Sequence, residues 1–133
     1  MALASHPAKV GECMELSETS LCGVPVLRVV GELDHATSPV LAEKAANALG
    51  ADPACILFDL EACTYLDSGG VGVLLTLLEQ VTDRGWVGII SPSRSVLRIL
   101  EIMGLTSSED FKVFSSAAEA QEHCNAREKD LSC

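Results

Sequence analysis

Apolar residues along this chain fall into short unbroken runs that alternate with stretches where they recur every three or four positions. The run Cys55-Ile56-Leu57-Phe58-Asp59-Leu60 is too short for a free-standing helix and predicts a strand buried on both faces of a parallel sheet. Beyond it, Glu61 to Leu66 reads as a turn. From there Val71, Leu74, Leu75, Leu78 and Val81 return at helical spacing, predicting a helix from Gly69 to about Asp83 that is stopped by Arg84-Gly85. Upstream, Cys13 to Ser20 predicts an edge strand and Val24 to Val30 a second one, with Cys22-Gly23 turning the chain. Ser38 as N-cap, Pro39 at the first helical position and Gly50 at the end bracket a helix carrying Leu41, Ala45 and Leu49 on one face.

Downstream, Trp86 to Ile90 is a strand, and Ser91-Pro92 opens a helix whose Val96, Ile99, Leu100 and Met103 form one stripe before Gly104. Phe111 to Phe114 is a last short strand, and Ser116-Ala117-Ala118-Glu119 matches a capping box for a helix to about Asn125. Residues 1–11 read as a flexible leader and 127–133 as a fraying tail, leaving one domain over 12–126. Strand-strand-helix followed by strand-helix units predicts an α/β domain with a mixed sheet of about five strands and four helices.

Composition narrows the function. A chain of 133 residues, 48% hydrophobic, suits one core. A formal charge of −10 argues against nucleic-acid contact, which needs basic surface to displace counterions. The first residues lack the apolar core of a signal peptide and no run reaches membrane-spanning length, so a soluble, cytoplasmic protein with no membrane partner is expected. The six cysteines, Cys13, Cys22, Cys55, Cys63, Cys124 and Cys133, include no Cys-x-x-Cys and read as free thiols. Cys55 reads as a core residue, whereas Cys63, in the predicted turn, is a candidate for redox control.

Candidate chemistry centres on Asp67-Ser68-Gly69-Gly70, where a strand-like segment gives way to a helix. Unpaired N–H groups and the helix dipole favour negative charge there, so a phosphate on Ser68 could be carried without unravelling the helix. Asp and Ser are equally ordinary helix caps. Gly69, Gly70 and Gly72 tilt the balance, because glycine is costly in a first helical turn and is usually kept for close approach.

Catalytic alternatives find little support. Leu66 stands where a Gly-x-Ser-x-Gly elbow needs glycine, and no histidine has a triad partner. Gly70-Val71-Gly72 lacks the third glycine of a dinucleotide fingerprint, and no Gly-Lys-Ser/Thr provides a phosphate loop. His123-Cys124 has no second cluster to complete a metal site. No enzyme activity, cofactor or metal is expected.

Two segments together suggest a family. Val30-Gly31-Glu32-Leu33-Asp34-His35-Ala36-Thr37, followed by Ser38-Pro39, resembles the Gly-Glu-Leu-Asp signature of STAS domains, the sulphate-transporter and anti-sigma-factor-antagonist family. Tyr65-Leu66-Asp67-Ser68-Gly69-Gly70-Val71-Gly72-Val73-Leu74-Leu75 resembles that family's phosphorylation motif, in matching order and separation. Ser91 to Leu100 resembles the family's next helix entry, so the likeness covers roughly residues 12 to 126. It departs at Gly69, where the family has a second hydroxyl residue, and a looser backbone is expected there.

The resemblance implies a STAS-like domain with helices mainly on one face of the sheet. It implies that Asp34, His35, Thr37, Tyr65, Asp67, Ser68, Gly69 and Gly70 share a partner-facing surface. It also implies an anti-sigma-factor antagonist: unmodified, the surface would bind an anti-sigma factor with serine kinase activity and release a sigma factor. Phosphorylation of Ser68 would end that binding and a serine phosphatase would reset it. A non-enzymatic scaffold subunit of a stress-sensing or lipid-transport assembly is one alternative, and an antagonist under redox control through Cys63 is another.

Overall fold

The apolar run at 55–60 becomes an interior strand of a mixed sheet. A computed structural model describes residues 8–10, 14–49, 55–81 and 85–131, with side chains given over 14–49, 55–81 and 85–126. The strands are β1 (Ala8–Val10), β2 (Met14–Leu21), β3 (Val24–Leu33), β4 (Cys55–Asp59), β5 (Cys63–Leu66), β6 (Trp86–Ile90) and β7 (Phe111–Phe114). The helices are α1 (Ser38–Ala48), α2 (Ser68–Gln80), α3 (Arg94–Ile102) and α4 (Ala117–Leu131). Spatial order is β1-β2-β3-β4-β6-β7, with β1, β2 and β3 antiparallel in succession and the later pairs parallel.

β5 lies outside this path but on the same edge of β3 as β4. Val26 to Arg28 pair with Leu57 to Asp59, and Gly31 to Leu33 pair with Cys63 to Leu66. β4 and β5 are thus two halves of one strand line, interrupted by a turn at Glu61-Ala62, and among the described residues the sheet has six strand positions. Gly31 makes the change of partner workable. Its φ of 105° is reached easily only by glycine, and the register of β3 shifts between Gly31 and Glu32.

Alternation then divides the core. Ile56 and Phe58 of β4 join Val87 and Ile89 of β6 in the larger cluster, covered by Leu41 and Ala45 of α1, Val71, Leu74 and Leu77 of α2, and Val96 and Leu100 of α3. Cys55 and Leu57 project to the other face, where they meet Trp86, Ile90, Phe114 and, from α4, Ala120 and Cys124. Three of the four helices therefore share one face, as expected for a STAS-like sheet.

Several boundaries differ from expectation. Of the segment read as a leader, Ala8–Val10 is paired with β2, whose edge would otherwise carry unpaired backbone groups. The segment read as a turn contains β5, because parallel pairing with β3 extends past the Glu61-Ala62 turn. α1 begins one residue early: Ser38 is already helical and Thr37 takes the cap position, since Asp34 folds the preceding turn. α2 stops at Gln80, with β-branched Val81 extended at ψ 121° and buried. Leu75, assigned inward, is exposed, and Leu77 takes its place in the core.

α3 opens after Ser93, whose Oγ accepts from the Val96 N–H, and Met103 falls outside its buried stripe. Gly104, at φ 83°, ends that helix as expected. α4 runs on to Leu131, past the expected end near Asn125, because Ala126 to Leu131 contain neither glycine nor proline. Its capping box is realised with a shift: Glu119 N–H donates to Ser116 Oγ, while the Glu119 carboxylate reaches back to Ser115. The expected stops at Gly50 and Arg84, and the thiols of Cys13 and Cys133, lie outside the described residues.

Candidate functional site

Where β3 and β5 end side by side, the chain makes two turns that lean on each other. Asp67 N–H donates to the Leu33 carbonyl at 3.2 Å, so the start of α2 is tied to the end of β3. Asp67 caps α2: Oδ1 accepts from the N–H of Gly69 at 2.8 Å and of Gly70 at 3.4 Å. Its other oxygen accepts from the His35 N–H at 3.3 Å and contacts Nδ1 of the His35 ring at 3.2 Å. A carboxylate only accepts, so Nδ1 carries the proton in that contact. Burial opposes ionisation of Asp67, but the His35 hydrogen bond and the two helix N–H donors outweigh it. The carboxyl is held below its ordinary range.

The 34–37 turn is built by Asp34 and Thr37. Asp34 Oδ1 accepts from the N–H groups of Ala36 at 2.9 Å and Thr37 at 3.0 Å. Thr37 Oγ1 accepts from the Asp34 N–H at 2.9 Å and donates to the Glu32 carbonyl at 3.0 Å. These bonds leave His35 at the crest of the turn, 74% exposed, over the first turn of α2.

Gly69 is where the two turns touch. A Cβ there would come within 2.9 Å of the His35 Cα and 3.0 Å of its ring Nδ1. The close approach expected of glycine here is found, made by the His35 backbone, and the expected looseness is not: that backbone fills the space a hydroxyl residue would need. Gly70 is buried, and a Cβ there would meet Leu33 and Leu66. Gly72 is different, with nothing within 4 Å of its would-be Cβ. It opens onto a groove of about 580 Å³ between α1 and α2, bordered by Ala42, Glu43 and Ala46 on one side and Val73 and Thr76 on the other.

Seven of the eight residues grouped in sequence lie in these two turns, and Tyr65 precedes them on β5. His35, Tyr65 and Ser68 are exposed, Asp34, Asp67 and Gly69 partly so. Thr37 and Gly70 are buried and hold the turns together, so neither offers a side chain to a partner. Ser68, the first residue of α2, stands outward beside its Asp67 cap. Leu75 lies two helical turns further along α2 on the same side and is 38% exposed. Sequence reasoning missed the α1 wall of the groove; its signal was the small residues Ala42 and Ala46, one helical turn apart, opposite a glycine-bearing helix.

Cys63 is corrected. It lies in β5, is 2% exposed, and donates its S–H to the Tyr65 carbonyl at 3.3 Å. Burial pushes its thiol pKa up against the backbone hydrogen bonds, the opposite of a reactive cysteine. Among the described residues no group of His, Cys, Asp and Glu is arranged to hold a metal ion, and no helix is long and apolar enough to cross a membrane.

This pair of abutting turns at the ends of parallel strands sits on a known type of domain. The STAS domain model matches residues 17–120, and the chain belongs to the STAS domain family. The anti-sigma-F factor antagonist RsfB of Mycobacterium tuberculosis is 29% identical over 98 residues, spanning 74% of this chain and 79% of RsfB. An anti-sigma factor antagonist from Mycobacterium paratuberculosis superposes with a TM-score of 0.75 at 22% identity, over 89% of this chain and 99% of that one. The anti-sigma factor antagonist SpoIIAA in its unphosphorylated form superposes at 0.64 with 27% identity, over 85% of this chain and 96% of SpoIIAA.

Proposed function

We propose that this chain is an anti-sigma-factor antagonist, present in the cytoplasm, that binds an anti-sigma factor through the Ser68 face and so frees a sigma factor. The observation that carries the reading is the exposed Ser68 hydroxyl, first in α2 and flanked by a fully engaged Asp67 cap, on a STAS domain. The similar proteins named as antagonists support the role.

In this reading Tyr65, Ser68 and Leu75 meet the partner, with His35 beside them. The anti-sigma factor is also a serine kinase, and it phosphorylates Ser68. The added charge of nearly two units lies beside Asp67 on a molecule of formal charge −10. Repulsion and lost contact then end the complex, and a serine phosphatase restores it. The chain is a substrate and a switch and needs no catalytic group of its own.

The test is capture from cell extract with wild type, Ser68→Ala and Ser68→Asp, the bound proteins being identified by mass spectrometry. Wild type and Ser68→Ala should retain an ATPase-type anti-sigma factor that Ser68→Asp loses. If all three hold the same assembly, the chain is a scaffold and the switch is wrong.

A further inference from the structure

Away from Ser68, on the sheet face covered by α4, three cysteines from three parts of the chain border one apolar cluster. Cys55 of β4 and Cys124 of α4 belong to the smaller core cluster, and Cys22 of the β2–β3 turn packs against it. Cys22 also donates its S–H to Asn125 Oδ1 at 3.0 Å, although the two residues are 103 positions apart. That contact places the Cys22 sulfur against the α4 residue that follows Cys124.

The turn holding Cys22 is unusual in its occupant. Leu21 pairs with Val24, so Cys22 and Gly23 form a two-residue hairpin loop, and both have positive φ, 52° and 80°. Asn-Gly or Asp-Gly is the ordinary choice there, because a side chain without a short polar group is disfavoured at the first position. The chain accepts a cysteine in a left-handed conformation, and its thiol is directed at α4. Cys22 is also the accessible member of the three, partly exposed where Cys55 and Cys124 are 8% and 4% exposed.

We propose that Cys22 and Cys124 form a reversible redox pair, in which hydrogen peroxide oxidises Cys22 and Cys124 resolves it to a disulfide. The Cys22 thiolate attacks the peroxide: an S–O bond forms, the O–O bond breaks, and water leaves once the departing oxygen is protonated. The Cys124 sulfur then attacks the sulfenic acid, forming the S–S bond and releasing the oxygen as a second water. Two thiols have lost two electrons and two protons, and the peroxide has become two waters. The bridge staples the last helix to the β2–β3 turn, and a dithiol reductant opens it. Cys63 takes no part, since it lies on the opposite face of the sheet with its thiol held protonated.

The site needs neither Ser68 nor a partner, so its test is independent of the proposed function. The reduced full chain is treated with hydrogen peroxide, alkylated and mapped by mass spectrometry. The expected product is a Cys22–Cys124 cross-linked peptide, absent in Cys22→Ser and retained in Cys63→Ser. Trp86, the chain's single tryptophan, lies in the same cluster, so its emission should fall on oxidation and recover with reductant. Closing so long a loop should also raise Tm by several degrees. A dominant bridge to Cys55, Cys13 or Cys133, or overoxidation of Cys22 without any bridge, overturns the proposal.

Discussion

The Ser68 end of the sheet and the face under α4 are built on opposite principles. At the Ser68 end, order comes from hydrogen bonds: one carboxylate holds two N–H groups of its own helix and one from a turn 32 residues away. Under α4, order comes from packing, with Trp86, Phe114 and His123 meeting edge-on or tilted at centroid separations of 5.2 to 6.2 Å. Gly88 leaves room for this cluster, since a Cβ there would lie 2.8 Å from the Trp86 ring. The lesson is that a surface can be held rigid by polar bonds at its rim while its outward side chains stay free to vary.

The widest separation between the regions should come from truncating Trp86. Trp86→Ala removes a fully buried ring and should cost about 3–5 kcal/mol, whereas Ser68→Ala should stay within about 0.5 kcal/mol of wild type. Urea denaturation of both decides it, and similar losses would end the contrast. A sharper test makes the same glycine-to-alanine change at Gly70 and at Gly72 of α2. Gly70→Ala should lose about 1–2 kcal/mol, since overpacking against Leu33 and Leu66 exceeds the gain in helix propensity.

Asp67→Ala should cost about 1 kcal/mol near neutral pH through loss of the cap. Because the folded-state pKa of Asp67 is lowered, its contribution is fully present above the ordinary aspartate range. It disappears as pH falls through the lowered value. The stability gap between variant and wild type should therefore close on acidification, and a gap that survives in acid would show that the carboxylate's charge is not what holds the turn. The smallest effect has the opposite sign: Gly72→Ala, with nothing within 4 Å of its new methyl, should gain about 0.5–1 kcal/mol. In the proposed function the same methyl narrows the groove, so a more stable variant that binds its partner less well would mark the groove as part of the contact.

Much of this was readable in the chain. The apolar run of β4, the existence of α2 and the cap at Asp67 are local signals, and each is found, although α2 ends at Gln80 and not near Asp83. β5 was missed because its four residues are buried only at the ends and its existence depends on pairing with β3. The inward turn of α2 was misjudged at Leu75 because leucines stand at 74, 75, 77 and 78 and periodicity cannot choose among them. At Gly69 the cost of glycine in a first helical turn signalled close approach, but nothing in the sequence named His35 as the neighbour that keeps the backbone there from being loose. Contacts between distant segments leave no spacing to find.

The double engagement of Asp67 has a consequence for kinetics. Because the two turns are fastened to each other before anything arrives, a binder has no loop to order on contact, and little conformational entropy is lost in the encounter. Partners of this end of the molecule should then associate without a slow rearrangement, and changes made to its outward side chains should register chiefly as altered lifetimes of the complex.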